Sequence, residues 1–220
     1  CNYRCNYCMP LDEYVWTEKS ALLSFEEITR LAAIFVQHGV EQIRLTGGEP
    51  LVRQNLPELV ARLSALDGLR DLSLTTNGSL LAARAAELRS AGLNRINVSL
   101  DTLRADRFTK LTKRGDLDEV LAGIQTAREV GFESIKINAV IIAGVNEDEI
   151  IDLAEYSRNQ GVEIRFIEYM DVGNANHWNL ERTVSKKKIL QTIHDRYPLK
   201  ELGRRADRAR RRGRRSAPRS

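Results

Sequence analysis

Cysteine is scarce in this sequence: there are three in 220 residues, at positions 1, 5 and 8, and none follows. An odd number packed into eight residues is a poor disulfide framework, so a small secreted scaffold held by cross-links is excluded and thiol or metal chemistry is favoured. Histidine is equally sparse, and His38, His177 and His194 stand far from the cysteines without finger-like spacing. No run approaches the roughly 20 apolar residues that a membrane-spanning helix needs, which excludes an integral helical membrane protein. Nothing in length or composition suggests a repeat solenoid.

Charge is unevenly distributed. From Gly203 to Ser220 nine arginines accompany one aspartate, a local balance of +8, so the first 202 residues carry −4 of the overall +4. The basic character therefore belongs to a tail and does not argue that the folded part binds nucleic acid. Residues 203–220 have no apolar periodicity and are expected to be disordered. Residues 1–202, with 42% hydrophobic residues across the chain, suffice for one substantial core.

Five segments repeat one pattern, in which a glycine (Gly39, Gly68, Gly92, Gly131, Gly161) ends a helix and a short apolar run follows. The runs, Ile43–Thr46, Leu72–Thr75, Ile96–Leu100, Ile135–Ile142 and Ile164–Glu168, read as strands. Amphipathic stretches at Phe25–Gln37, Leu56–Ala65, Leu80–Ser90, Leu117–Val130 and Asp148–Asn159 read as helices. Strand and helix alternate, which predicts an α/β protein with a parallel sheet. Ser24 and Glu27 form a capping box for the first helix, with Ile28, Leu31, Ala32, Phe35 and Val36 as its buried stripe.

The strands alternate in polarity, unlike strands covered on both faces. Arg44, Thr46, Ser73, Thr75, Asn97, Ser99, Lys136, Asn138 and Arg165 occupy one alternate set, so they share a face. A polar face common to five parallel strands predicts a sheet curled around a polar ligand, with a basic interior supplied by Arg44, Lys136 and Arg165.

Cys1, Cys5 and Cys8 give a C-x3-C-x2-C spacing. Three thiolates on one loop can each hold one iron of a cubane [4Fe–4S] cluster and leave the fourth iron open for a ligand. A zinc site lacking an evident fourth ligand and reduced spectator thiols are the other readings the residues allow.

With Tyr7 before the third cysteine, and Gly47-Gly48-Glu49-Pro50 after the first strand, the pattern resembles the radical S-adenosylmethionine (SAM) superfamily. The segments Cys1–Pro10, Ile43–Leu51, Leu74–Gly78, Arg95–Asp101 and Arg165–Gly173 are together similar to the GTP 3′,8-cyclase family of molybdenum cofactor biosynthesis, over Cys1 to about Leu199. The resemblance implies an incomplete (β/α)6 partial TIM-type barrel of parallel strands. It assigns Cys1, Cys5 and Cys8 to a [4Fe–4S] cluster; Tyr7, Gly48, Ser99 and Met170 to SAM; and Arg44, Thr75 and Lys136 to GTP. It implies a lyase in which a radical derived from SAM takes hydrogen from C3′ of GTP and C3′ then bonds to C8. An external electron donor, a cytoplasmic location and a homodimer are the accompanying expectations; a membrane partner is not expected, nor is nucleic acid.

Taken singly, the same residues have structural readings: Tyr7 could pack on its loop, Ser99 cap a turn with Asp101, and Met170 fill core space. The family also carries three further cysteines for a second cluster, an Arg-x-Arg segment, and an arginine and a strand ahead of Cys1. The further cysteines and the arginine and strand ahead of Cys1 are not in the sequence, and the arginine-rich tail reads as a replacement of the family's C-terminal region, so GTP turnover is expected to be impaired. Another radical SAM enzyme, such as a peptide-modifying one, and a non-enzymatic nucleic-acid binder acting through the tail are the competing expectations.

Overall fold

The computed structural model describes residues 1–9, 14, 15, 17–171 and 178–203. The expectation for the arginine-rich tail, apart from Gly203, and the Val172-Gly173 end of the last motif lie outside the described residues.

In chain order the elements are α1 (Phe25–Gln37), β1 (Gln42–Leu45), α2 (Leu56–Ser64), β2 (Asp71–Thr76), α3 (Leu81–Ser90), β3 (Arg95–Ser99), α4 (Ala105–Thr112), α5 (Leu117–Glu129), β4 (Ser134–Ile141), α6 (Ile150–Gln160), β5 (Glu163–Glu168) and α7 (Lys186–Arg196). The predicted strands and five predicted helices all form, with no end displaced by more than two residues. The five helix-ending glycines all have positive φ, from 66° at Gly161 to 101° at Gly92, where a Cβ would be strained. Sequence periodicity missed α4, which is only eight residues long, and α7, in which Ile189 is the one buried side chain.

All strands are parallel and lie in chain order β1-β2-β3-β4-β5. Without a reversal of order, right-handed crossovers place every helix on one face, and the sheet curls as an open, partial barrel rather than a doubly wound layer. The register stacks the predicted faces. Leu45, Leu74, Ile96 and Ile135 form one apolar row, and Thr75, Asn97, Lys136 and Glu163 form a row of the opposite parity.

The apolar face is sealed by helices. Leu72, Leu74, Ile96, Val98 and Ile137 are buried against Val60, Leu63, Leu88, Val120 and Ile124 of α2, α3 and α5. Burial at about 25 cal/mol per Å² makes this face the principal stabilising element. Where α5 crosses α3, a Cβ on Gly123 would stand 2.9 Å from the Gly78 carbonyl oxygen, so glycine sets that close approach.

The Ser24 capping box forms as predicted: Ser24 Oγ accepts from the Glu27 amide at 3.1 Å and the Glu27 carboxylate accepts from the Ser24 amide at 2.7 Å. The predicted stripe of α1 needs correction. Ala32 is buried, but Leu31 and Phe35 are 43% and 56% exposed. The reason lies beneath the helix, where among the described residues β1 has a sheet neighbour only on its β2 side.

Candidate functional site

The cysteine loop is seated at the C-terminal ends of the strands, the face where parallel barrels place their chemistry. Its anchor is α4. The amides of Arg4 and Asn6 donate to the Thr112 and Leu111 carbonyls, both at 3.0 Å. Buried Tyr3 packs edge-on against Phe108, with ring centroids 6.1 Å apart at 83°. A second anchor lies at the end of β2, where Asn2 donates to Ser79 Oγ at 2.9 Å and accepts from Asn77 Nδ2 at 2.8 Å. Between Cys5 and Cys8 the chain turns tightly, with Cys8 and Met9 amides donating to the Cys5 carbonyl at 3.1 and 2.7 Å.

The Gly47-Gly48-Glu49-Pro50 turn closes over this loop. A Cβ on Gly48 would stand 2.6 Å from the Cys1 nitrogen, so only glycine lets the turn lie against the first cysteine. Glu49, 6% exposed, accepts from Leu51 N (3.0 Å), Thr76 Oγ1 (2.7 Å) and Asn77 N (2.6 Å). One carboxylate thus pins the turn to the end of β2. Burial raises its pKa despite those three bonds. A cleft of about 780 Å³ adjoins the turn, lined by Cys1, Gly48, Glu49, Phe25, Val52 and Arg53 among others.

The three thiols are free, with Cys1 and Cys5 half-buried and Cys8 exposed. Burial pushes the Cys5 thiol up to about 12, with the Asp101 charge adding to it, and raises Cys8 for the same two reasons. Coordination to iron deprotonates such thiols outright. Among the described residues no three His, Cys, Asp or Glu side chains are grouped to hold one metal ion. A zinc ion draws its sulfurs to about 4 Å of one another, whereas a cubane spreads three thiolates over three irons. The donor set and the Gly48 cradle fit a [4Fe–4S] cluster.

Tyr7, between Cys5 and Cys8, donates its hydroxyl to Asp101 Oδ2. Asp101 Oδ1 accepts from the Val140 amide at 2.8 Å, and the Asp101 carbonyl accepts from Asn146 Nδ2 at 2.7 Å. Burial lifts the Asp101 carboxyl from 3.8 to about 6, against those hydrogen bonds. Beside it, fully buried Glu149 accepts from Thr102 Oγ1 at 2.6 Å and the Leu103 amide at 2.7 Å and pairs with Arg107. Sequence reading saw Asp101 only as a turn partner of Ser99; the signal that would have found it is its place two residues past Ser99 at a strand end.

On the polar face Thr75 and Lys136 fall in one register row, Ser99 one step nearer the strand ends, and Arg44 one step farther from them. Ser99 pairs in register with Asn138, itself opposite Arg165. Met170, just beyond β5, is 64% exposed and fills no core. Arg44 is exposed on edge strand β1 and donates to Ser73 Oγ at 3.4 Å. The expected basic interior is corrected by its counter-charges. Buried Lys136 reaches Glu163 Oε1 at 2.9 Å, Arg165 lies 3.5 Å from the same oxygen, and Arg95 pairs with Asp71. Glu163 was missed because its partnership depends on register, which composition does not reveal.

Comparison with known proteins agrees with this geometry. The chain is 47% identical over 201 residues to GTP 3′,8-cyclase 1 of Mycobacterium tuberculosis, across 90% of this chain and 56% of that protein. It is 51% identical over 207 residues to GTP 3′,8-cyclase of Acidothermus cellulolyticus, across 92% of this chain and 57% of that protein. The chain thus spans little more than half the length of these relatives. Among solved structures, Streptococcus suis SuiB bound to S-adenosylmethionine matches with a TM-score of 0.71 at 19% identity, over 89% of this chain and 45% of that one. Methylornithine synthase matches with a TM-score of 0.69 at 19% identity, over 90% and 59%. At those identities the likeness concerns the fold alone. The sequence pattern described as the Radical SAM superfamily matches residues 1–157, well over half of the sequence, and the chain belongs to that superfamily.

Proposed function

We propose that this chain is the SAM-binding barrel of a GTP 3′,8-cyclase, the radical SAM lyase that rearranges GTP in molybdenum cofactor biosynthesis. The observation that carries the reading is the polar row under the cysteine loop. Thr75 and Lys136 share one level of the sheet, with Ser99 and Arg165 one level above and Arg44 one below. The similarity to cyclases over nine-tenths of the chain supports it.

In this reading Cys1, Cys5 and Cys8 hold the cluster, and Tyr7, Gly48, Ser99 and Met170 adjoin SAM. When bound, the cluster and SAM together supply one-electron reductive cleavage and hence hydrogen abstraction from an unactivated carbon. The chain's own residues supply position. Lys136 and Arg165 exchange the Glu163 carboxylate for phosphate oxygens, through charge-assisted hydrogen bonds about twice as strong as neutral ones. Arg44 offers a planar fork to the same triphosphate, and the Thr75 hydroxyl bonds to a ribose or phosphate oxygen. Holding the ribose beneath SAM turns a bimolecular encounter into an intramolecular one.

An electron donor is required. The three cysteines of the given sequence supply thiolates for one such cluster.

The test is to reconstitute the protein anaerobically, reduce it with dithionite, and supply SAM with GTP deuterated at C3′. Deuterium appearing in 5′-deoxyadenosine is the expected result. SAM cleavage at the same rate with and without GTP, and with no deuterium transfer, would overturn the nucleotide assignment.

A further inference from the structure

Asp101 is 7% exposed, and each of its three oxygens is engaged with a different segment. Oδ2 accepts from Tyr7 in the cysteine loop, Oδ1 from the Val140 amide near the end of β4, and the carbonyl from Asn146 in the following turn. A carboxylate held at both oxygens cannot rotate, so the Tyr7 hydroxyl has a fixed target. That target sits two residues beyond Ser99, and Tyr7 itself lies next to Cys8 and two residues from Cys5.

We propose that Asp101 is a positioning residue for SAM, fixing the Tyr7 side chain between the cluster loop and the ends of β3 and β4 so that Tyr7 and Ser99 present one preorganised surface to the cosubstrate. The inference rests on the SAM half of the reading above and is independent of GTP.

The loop does not depend on this contact for its own fold. Arg4 and Asn6 hold it to α4 by backbone hydrogen bonds, and Asn2 holds it to the Asn77–Ser79 turn. Deleting the Tyr7 hydroxyl removes its bonds to Asp101 and to the Cys5 thiol while leaving the backbone anchors of the loop in place. A merely structural contact would change cluster loading or stability and leave SAM affinity alone; a positioning contact does the reverse.

The experiment uses the full 220-residue chain, reconstituted with iron and sulfide and reduced, and follows the electron paramagnetic resonance spectrum as SAM is titrated. Tyr7→Phe, Asp101→Ala, Asp101→Asn and the double variant Tyr7→Phe/Asp101→Ala are compared with the parent for iron content and for the SAM concentration at half-change. Tyr7→Phe and Asp101→Ala are expected to keep parental iron content and to need about tenfold more SAM, the effect of one lost hydrogen bond to a charged group. The double variant is expected to be no weaker than Asp101→Ala, because both changes remove one interaction. Asp101→Asn, which keeps the shape and an acceptor, stays within about twofold of the parent.

Tyr7→Phe is the decisive arm, since it removes one oxygen and folds whatever Asp101→Ala does. Parental SAM affinity in Tyr7→Phe overturns the proposal, as do multiplying effects in the double variant or iron loss in step with SAM loss. Asp101→Asn as weak as Asp101→Ala overturns it in favour of a role for the charge. A parent spectrum indifferent to SAM overturns the SAM reading together with this inference, which separates the two failures.

Discussion

Gly48 lies so close to Cys1 that a Cβ would stand 2.6 Å from the Cys1 nitrogen and 3.1 Å from its Cβ. The glycine-rich turn and the cysteine loop are therefore one packed unit. Gly48→Ala meets backbone rather than a flexible side-chain end, so the loop must shift as a body. The expected outcome is a loss of about 1–3 kcal/mol of stability, the usual cost of overpacking. Iron incorporation should fall by about half or more at fixed reconstitution conditions, because the first thiolate is displaced. Iron content per chain and urea unfolding check the two parts, and unchanged values for both would mean that the turn and loop are not coupled.

The ion pair between Lys136 and Glu163, 2.9 Å long and almost buried on the lysine side, makes a prediction about nucleotide binding. If phosphate replaces Glu163 on binding, the carboxylate competes with substrate. Glu163→Gln should then tighten GTP binding by about twofold to fivefold, and Lys136→Met should weaken it by about tenfold or more, the cost of one charge-assisted contact. Calorimetric titration with GTP reads both. Weaker binding by Glu163→Gln would show instead that Glu163 holds Lys136 in its binding pose.

The two substitutions also mark where sequence reading stops. Alternation along each strand was enough to place Lys136, Thr75, Asn97 and Ser99 on one face, because side-chain direction has period two and one face must be buried. It could not pair Lys136 with Glu163, since that depends on how β4 and β5 slide against each other. Glycine spacing gave the helix ends, because only glycine sits without strain at positive φ. Yet α4 was invisible: its buried face is Phe108, Leu111 and Thr112, three residues in an eight-residue helix, too short a run for a period to emerge. The turn glycine Gly48 was legible, whereas the two bonds from Glu49 to Thr76 and Asn77 were not, because they join β1 and β2 ends that are 27 and 28 residues apart.

Glu149 tests the strand-end network as a structural element. It is fully buried, accepts from Thr102 and Leu103, and pairs with Arg107, which also reaches Asp148 at 2.7 Å. Glu149→Ala removes the only carboxylate in that set that is wholly out of water, leaving the Thr102 hydroxyl and the Leu103 amide without their acceptor. A loss of about 3–5 kcal/mol is expected, as for breaking a buried pair from one side. Arg107→Ala should cost less, because Glu149 keeps two donors. Urea unfolding of both variants orders them, and the reverse order would place the energetic weight on the arginine.

Asp101 gives the pH dependence. Its carboxyl is raised from 3.8 to about 6, chiefly because burial removes water from the charged form, while the Tyr7 hydroxyl and the Val140 amide oppose the shift. A folded-state pKa above the unfolded one means that the folded protein binds the proton more tightly. This contribution to stability is therefore complete below the unfolded value of 3.8 and is lost as pH rises through about 6. Asp101→Asn cannot titrate, so the difference between parent and variant isolates the group from the other carboxylates. Relative to Asp101→Asn, the parent should lose up to about 3 kcal/mol between pH 4 and 7 and little beyond, taking 1.36 kcal/mol per pKa unit. Urea unfolding of the iron-free protein at four pH values measures the slope. A parent that instead gains stability over that range would have a depressed carboxyl, and the two hydrogen bonds would then outweigh the burial that the fold imposes on Asp101.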